Sequence, residues 1–255
     1  MSSDLQRVRS FWEDHVNNEY YTRHARGSRA YFAEIERRRY KFHYHLPELF
    51  ERIRSHGTEG KRLLEIGCGI GIDTLRLAKL GFREVVAADL TETAIAIASK
   101  RARHEGIANV RFVTANAESL EFSEGAFDAI YSFGVIHHTA DIGRAVAEIH
   151  RVLAPGGRAY VMIYHRRSLV AAVHELFRLP YESPKDLEDE CPVVLRHSRA
   201  EAEHLFGDFD RVEIHADYPF TYGMRFVSWA VPKALQRGLG RLIGWHLMIE
   251  ASKTV

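Results

Sequence analysis

The chain has 255 residues, of which 46% are hydrophobic and 27% charged, and its 35 basic and 34 acidic side chains give a formal net charge of +1. These values exclude collagen-like, coiled-coil and disordered classes and fit one globular domain with a normal core. Because the total charge is nearly even, no overall field attracts the chain to nucleic acid or to an anionic membrane. We therefore expect neither as a partner.

Cysteine usage and the first residues indicate the compartment. Cys68 and Cys191 are too few for a disulfide framework and lack the paired spacing of a zinc site. Residues 1–7 read MSSDLQR and have no apolar run behind a basic start, so they do not resemble a signal peptide. No window approaches the roughly 18 apolar residues of a membrane helix. We expect a cytoplasmic protein without a bound metal.

Residues 1–57 are rich in charged and aromatic side chains, and apolar residues between positions 31 and 46 recur at helical spacing. We predict an N-terminal helical lid over this range. Its aromatic residues, among them Tyr20 and Tyr21, belong either to an ordinary helix surface and core or to a cover that excludes water from a site. The run Arg37–Arg39 is interpreted as a solvated helix face with i,i+4 ion pairs.

Residues 58–255 follow a different pattern, in which short apolar runs alternate with longer amphipathic stretches. The runs RLLEIG, EVVAAD, VRFVTA, FDAIYSFG and RAYVMIYH have the character of buried strands. This alternation predicts a parallel sheet covered by helices on both faces. Prolines and charged residues interrupt it in the range 166–207, which indicates an inserted cap, and RVEIHADY and WHLMIEASK then have the pattern of closing strands.

A glycine-rich loop lies between the first predicted strand and the first predicted helix of this region. It contains Glu65, Gly67, Gly69 and Gly71 in the spacing E-x-G-x-G-x-G. Glycines at such a junction let the backbone approach a ligand, and the free N–H groups of the helix start favour electron-rich groups. Ile72 breaks the G-x-G-x-x-G frame of dinucleotide-binding proteins, and no Gly-Lys-Ser/Thr follows, so nicotinamide and triphosphate binding are disfavoured.

Four ordered motifs carry a family resemblance over residues 62–165. The glycine loop is followed by Asp89 at the end of the second strand, by Asn116-Ala117-Glu118 after the third, and by SFGVIHHT and LAPGGRAYVMIYH around the fourth and fifth. This series resembles the class I S-adenosylmethionine-dependent methyltransferases, in their small-molecule branch. The resemblance implies a Rossmann-like, doubly wound sheet, mostly parallel with an antiparallel C-terminal strand, and S-adenosylmethionine as cofactor.

The resemblance also implies a set of cofactor-binding residues. A carboxylate has two acceptor oxygens, so Asp89 suits the vicinal ribose hydroxyls, although capping of the helix that begins near Thr91 is an alternative. Asn116 replaces a commoner Asp and still accepts a hydrogen bond from the adenine amine. Glu65 either shapes the loop or organises the surroundings of the methionine amino group. The predicted set is Glu65, Gly67, Cys68, Gly69, Gly71, Asp89, Leu90, Asn116, Ala117, Glu118 and Phe133.

Residues at the carboxyl ends of the fourth and fifth strands are candidates for catalysis, because ligands of open α/β sheets bind at this edge. One histidine of the pair His137 and His138 could support the loop while the other orients the substrate or accepts its proton. Tyr164 and His165 hold the matching place on the next strand, with packing at the rim as the alternative. We predict catalytic roles for His137, His138 and Tyr164, and substrate contacts for Tyr20, Tyr21 and His165.

The implied reaction is in-line methyl transfer to an O, N or C nucleophile of a small molecule, in which alignment of the reactants supplies most of the acceleration. A general base is needed only if the nucleophile carries a proton. Two alternatives stay open: use of the aminocarboxypropyl arm of the cofactor with release of methylthioadenosine, and a non-catalytic binding module. The even charge and the absence of an Asn/Asp-Pro-Pro-Tyr/Phe motif disfavour nucleic-acid substrates, and we expect a monomer or a homodimer.

Overall fold

The alternating pattern folds into one α/β sheet in the computed structural model, which describes residues 3–16, 22–181, 190–221 and 224–254. Apolar runs form the strands, and amphipathic stretches form the helices that cover them. The strands are β1 (Arg62–Ile66), β2 (Glu84–Asp89), β3 (Val110–Thr114), β4 (Phe127–Phe133), β5 (Leu153–His165), β6 (Arg196–His197), β7 (Arg211–Asp217) and β8 (His246–Ser252). The helices are α1 (Ser3–Asp14), α2 (Arg29–Phe42), α3 (Leu46–Ser55), α4 (Ile72–Ala78), α5 (Glu92–His104), α6 (Ile142–Val152), α7 (Leu169–Phe177), α8 (Arg199–Leu205), α9 (Arg225–Ala230) and α10 (Lys233–Ile243).

The strand order is β3-β2-β1-β4-β5-β8-β7, with the short β6 paired to the end of β5. Strands β1 to β5 are parallel to one another. Strand β8 runs antiparallel to both β5 and β7. The order reverses beside β1, so the carboxyl ends of β1 and β4 flank a crevice in which ligands of such sheets bind. The predicted doubly wound, mostly parallel sheet with an antiparallel C-terminal strand is confirmed.

Helices bury apolar side chains against both faces of the sheet. On one face, α6 and the residues around α8 contribute Ile149, Ala202 and Phe206 to the largest core cluster. On the other face, α3 buries Phe50 and Ile53 against β1 and β4. Helix α3 belongs to the predicted N-terminal lid, but it forms part of the layer that covers the sheet. The division of the chain at residue 57 and the inserted cap stay predictions.

No helix within the described ranges is both long enough and apolar enough to cross a membrane.

Candidate functional site

The glycine loop follows β1 at the carboxyl edge of the sheet and has a left-handed backbone. Gly67, Gly69 and Gly71 have φ values of 77°, 49° and 76°, a region that side chains with a Cβ rarely adopt. A Cβ on Gly67 would lie 2.2 Å from Cγ2 of Val135. Because the loop passes this close to the residues after β4, its glycines are required by the backbone path as well as by any ligand.

Asp89 ties the loop to the start of α5. Its Oδ2 accepts a hydrogen bond from the Gly69 N–H at 2.8 Å, and its Oδ1 accepts from the N–H and hydroxyl of Thr91 at 3.0 and 2.8 Å. Burial raises the pKa of Asp89, although these hydrogen bonds oppose that shift. Thr91 holds the N-cap position of α5 without a side-chain capping bond. A carboxylate has about four acceptor sites, and these bonds use two on Oδ1 and one on Oδ2, so Oδ2 can accept from a ligand hydroxyl while Asp89 holds the loop.

A cavity with about 800 Å³ of empty space lies between the glycine loop and α1, and we call it the large cavity. It unites residues from four separate motifs with the N-terminal helix. The predicted residues on its wall are Gly67, Gly69, Asp89, Leu90, Asn116, Ala117 and His138, and the N-terminal ones are Leu5, Val8, Trp12 and Val16.

Helix α1 is fastened over the large cavity by its last turn. The Glu13 carboxylate accepts hydrogen bonds from the N–H groups of Glu92 and Thr93, at 2.8 and 3.2 Å. These are the first two residues of α5, whose own N-cap side chain makes no such bond. The Arg9 guanidinium also donates to the Glu92 carboxylate at 3.2 Å. Glu13 thus caps α5 from another helix and holds α1 against the cavity.

A second cavity, with about 440 Å³ of empty space, lies on the other side of the loop and is called the glutamate cavity here. It shares Gly67, Gly69 and Val135 with the large cavity, so the two adjoin. Glu65 lies on its wall, is 3% exposed, and has no hydrogen-bond partner for Oε2 among the described residues. Burial raises the pKa of Glu65 to about 8. A buried carboxyl with one unpartnered oxygen fits a cationic ligand group.

Asp73 on the same wall belongs to a buried network that anchors α2. The Arg39 Nε donates to Oδ1 at 2.8 Å, the Tyr131 hydroxyl donates to Oδ2 at 2.7 Å, and the Tyr40 hydroxyl donates to Oδ1 at 3.1 Å. Burial opposes ionisation, but the Arg39 charge and these hydrogen bonds keep the pKa of Asp73 below its ordinary value. The interpretation of Arg37–Arg39 as a solvated face is therefore wrong for Arg39, because its partner comes from α4.

A third cavity, with about 620 Å³ of empty space, lies between α3 and the strands β5, β7 and β8. We call it the histidine cavity. Phe133 lines both this cavity and the glutamate cavity, so its side chain belongs to both walls. The remaining wall is part apolar and part polar and includes His45, Leu49, Tyr160, His215, Asp217 and Met248. The three cavities consequently form a row, joined at the glycine loop and at Phe133.

Histidine rings surround Phe133 on the side of the histidine cavity. Its ring centroid lies 5.8 Å from that of His43, 5.7 Å from His45 and 5.4 Å from His246, and the Arg39 guanidinium lies 5.1 Å from it on the opposite wall. Burial lowers the pKa of His43 to about 3 and that of His45 to about 4. The imidazoles are therefore neutral near pH 7. Sequence reasoning missed all three; the signal for His43 and His45 was the run HYH at residues 43–45, inside the predicted helical lid.

The predicted histidine pair lies in the short segment that joins β4 to α6. His137 is fully buried, its ring centroid is 3.9 Å from that of Tyr164, and neither ring nitrogen has a partner in the described part of the chain. His138 lines the large cavity and places Nδ1 2.8 Å from the carbonyl oxygen of Val193. Burial lowers the pKa of both imidazoles, that of His138 to about 4.

The other predicted residues are held by the surrounding backbone or rings. Glu118 accepts hydrogen bonds from the N–H groups of Ala140 and Asp141 and so holds the loop before α6. His165 places Nδ1 3.0 Å from the Gly244 carbonyl oxygen, and Tyr164 stacks on Trp245 at 4.2 Å. Cys68 lines the glutamate cavity, and Gly71 lies at the N-terminus of α4. Tyr20 and Tyr21 lie outside the described residues.

Comparisons with known proteins agree with this fold and site. Residues 64–161 match a family described as a methyltransferase domain. The chain is 35% identical to a ubiquinone biosynthesis O-methyltransferase of Agrobacterium fabrum over 185 residues, which are 65% of this chain and 72% of the relative. It is 42% identical to a demethylmenaquinone methyltransferase of Thermus thermophilus over 40% of this chain and 46% of that one.

A solved structure shows the same fold at lower identity. The S-adenosylmethionine-dependent methyltransferase from Mesorhizobium loti has a TM-score of 0.58 and 19% identity, over 79% of this chain and 95% of that one. Several curated relatives are matched over less than half of their own length.

The reversed strand order, the glycine loop after β1 and the acidic end of β2 define an α/β protein that binds a nucleoside-type cofactor at its carboxyl edge. The chain belongs to the class I S-adenosylmethionine-dependent methyltransferase family. The predictions of this family and of S-adenosylmethionine as its cofactor are confirmed. The roles of individual site residues stay predictions.

Proposed function

We propose that this protein transfers the methyl group of S-adenosylmethionine to an O, N or C nucleophile of a small-molecule metabolite held in the histidine cavity. The observation that carries the proposal is the row of three cavities, in which Phe133 alone forms a wall of both the glutamate cavity and the histidine cavity. Cofactor and acceptor then meet at one side chain, at the carboxyl end of β4.

The residues on the walls fit the two halves of the cofactor. Asp89 and Asn116 line the large cavity, where a carboxylate suits the ribose diol and an amide oxygen suits the adenine amine. Glu65 lines the glutamate cavity, where its unpartnered Oε2 suits the methionine ammonium. Gly67 and Gly69 line both cavities and add no side chain to the junction between them, which the Val135 side chain also borders.

The cofactor supplies an activated methyl group on a sulfonium, so the protein mainly has to align the nucleophile and exclude water. Phe133 lines the glutamate cavity, where the Arg39 guanidinium lies over its ring at 5.1 Å, so the ring already stabilises one cation on that wall. Helix α1 covers the other end through Val8 and Trp12. Arg39 is already neutralised by Asp73, so it does not oppose a cationic ligand as a free charge would.

The histidine cavity supplies groups that orient an acceptor. His45 is neutral near pH 7 and has no partner for Nδ1 among the described residues, so Nδ1 can accept or donate one hydrogen bond according to the tautomer of the ring. We assign His45 to the acceptor site as a positioning residue. Catalytic roles for His137, His138 and Tyr164 remain predictions, and their burial and packing favour support of the loop after β4.

Two relatives named for steps of ubiquinone and menaquinone biosynthesis support a small-molecule acceptor. The test is incubation with labelled S-adenosylmethionine and metabolite pools, followed by mass spectrometry of the acceptor and of the cofactor product. Adenosylhomocysteine with a methylated acceptor supports the proposal. Methylthioadenosine would instead show use of the aminocarboxypropyl arm, and cofactor binding without any product would show a binding module.

A further inference from the structure

Exposed apolar side chains are concentrated in two segments of the described structure. Leu242 and Leu176 are 75% and 76% exposed, although both are large hydrophobic residues. The exposed large hydrophobic side chains of the described ranges fall in two parts of the chain. They are Leu176 and Phe177 at the end of α7 with Leu179 just after it, and Val227 in α9 with Leu235 and Leu242 in α10. Clusters of this kind mark interaction surfaces.

The two segments adjoin at the carboxyl edge of the sheet. Trp245, which follows α10, stacks on Tyr181 with ring centroids 5.5 Å apart. Tyr181 also stacks on His174 of α7 at 4.8 Å, and the His174 carbonyl oxygen accepts a hydrogen bond from the Leu179 N–H at 2.8 Å. The later part of α7 and the end of α10 are therefore linked through stacked rings and form one region of the surface.

Helix α10 has three distinct sides. Gln236 and Gly240 are buried, and Gly240 packs closely on Asp217 at the end of β7. Leu235 and Leu242, seven residues apart, lie together on an outward side. Lys233, Arg237 and Arg241 follow one another at intervals of four residues and form a basic row beside the two leucines.

The charge of this region differs from that of the whole chain. Residues 218–249 contain no Asp or Glu, but they contain Arg225, Lys233, Arg237 and Arg241. Within the row, Arg237 pairs with Glu48 of α3, and the Lys233 ammonium lies 4.6 Å from the centre of the Tyr44 ring. The stretch of sequence that carries the exposed leucines of α10 is therefore basic, although the total charge of the chain is nearly even.

We propose that α10 and the end of α7 form a docking surface for an anionic lipid bilayer. Exposed leucines beside a basic row are the composition of helices that lie in the membrane interface, where apolar side chains enter the acyl boundary and cations meet the headgroups. Glu48, which pairs with Arg237, also lines the histidine cavity. Docking would therefore place the histidine cavity, which holds the acceptor in the proposed function, next to the bilayer.

The test is co-sedimentation of the full chain with vesicles of phosphatidylcholine mixed with phosphatidylglycerol, compared with phosphatidylcholine alone. We expect binding to the mixed vesicles that weakens as salt is raised. Arg241→Glu should weaken it about fivefold or more, since each basic residue near an anionic surface contributes about that factor. Leu242→Ser should weaken it about tenfold by removing apolar surface. Arg211→Glu is the control, because that side chain is 71% exposed at the opposite end of β7.

Equal binding to both vesicle types, no binding, or full binding by Leu242→Ser would overturn the proposal. The alternative occupant is a second copy, because Asp186, Glu188, Asp189 and Glu190 supply an acidic segment. Self-association of the wild type in sedimentation velocity that Arg241→Glu abolishes, without vesicle binding, would show that case. Calorimetric titration with adenosylhomocysteine should give the same affinity for every variant, so failure of docking is distinguishable from failure of the proposed function.

Discussion

Glu13 of α1 accepts a hydrogen bond from the backbone N–H of Thr93, at 3.2 Å, across 80 positions of sequence. The same carboxylate accepts from Glu92, so the first turn of α5 is capped by the helix that covers the large cavity. Because α1 also lines the large cavity, we expect this cap to slow the entry and release of a ligand there.

Replacing Glu13 with Ala should accelerate dissociation of adenosylhomocysteine. Loss of a capping carboxylate costs about 0.5–2 kcal/mol, which corresponds to a rate increase of roughly 2- to 30-fold if the cap breaks before release. Stopped-flow displacement measures the rate. Asp14→Ala is the matched control, because Asp14 is exposed on the same helix. Equal dissociation rates for both variants would show that α1 does not gate the cavity.

Asp89→Ala should weaken cofactor binding by roughly tenfold or more, because each hydrogen bond to a charged group contributes about 1.5–3 kcal/mol. The structure adds an expectation of lower thermal stability, since Gly69 and Thr91 lose their acceptor. Asp89→Asn keeps one oxygen acceptor and should be milder on both counts. Calorimetric titration and thermal unfolding separate the two effects; a lower Tm with unchanged affinity would leave Asp89 a purely structural role.

Glu65 should make cofactor binding dependent on pH. Its pKa of about 8 in the free protein means that it is protonated near pH 7, and a cationic ligand beside it favours the carboxylate. Affinity for S-adenosylmethionine should therefore rise as pH increases toward 8, with release of a proton on binding. Titrations in buffers of different ionisation enthalpy count the protons released, and Glu65→Gln should abolish the dependence. A wild-type affinity that is flat between pH 6 and about 8.5 would contradict this assignment.

The same group affects the stability of the free protein with the opposite sign. The folded-state pKa of Glu65 lies above its ordinary value of 4.5, so the folded state binds more protons between pH 4.5 and about 8. The free energy of unfolding should fall as pH rises through this window. Glu65→Gln should flatten that part of the curve in urea unfolding, and an unchanged slope would show that the carboxyl is not protonated in the fold.

His45→Gln should lower turnover by about fivefold to tenfold while the affinity for adenosylhomocysteine stays unchanged, because the removed imidazole lines the acceptor cavity and not the cofactor cavities. A positioning role predicts a larger effect on acceptor KM than on cofactor KM. His204→Gln on the exposed side of α8 is the control. If His45→Gln changed cofactor affinity as much as turnover, the acceptor would have to be sought elsewhere.

His137→Ala and His138→Ala test the remaining catalytic prediction. If either imidazole accepts the substrate's proton, its variant should lose the acidic limb of the turnover profile. For His138 that limb should lie near pH 4, because burial lowers its pKa to about that value. A supporting role would instead give a lower Tm in thermal unfolding with an unchanged pH profile.

Local sequence determined the sheet, the glycine loop and the cofactor. The left-handed turns at Gly67 and Gly71 and the position of Asp89 at the end of β2 depend on residues close in the chain, so motif spacing predicts them. The alternation of strands and helices likewise predicts parallel pairing, because parallel neighbours need a long crossover between them, usually a helix.

Only the tertiary structure decided what surrounds the site. The partner of Arg39 is Asp73, 34 positions away. The histidine cavity brings together His45, just before α3, with Phe133 of β4 and Asp217 of β7. No spacing rule connects such residues, because their distances arise when helices cover one face of the sheet. The same holds for α10, whose buried side is set by β7 and whose leucines are consequently left outward. Neither the residues around the site nor the outward side of α10 can be derived from total charge or local periodicity, because both depend on which surfaces the fold brings together.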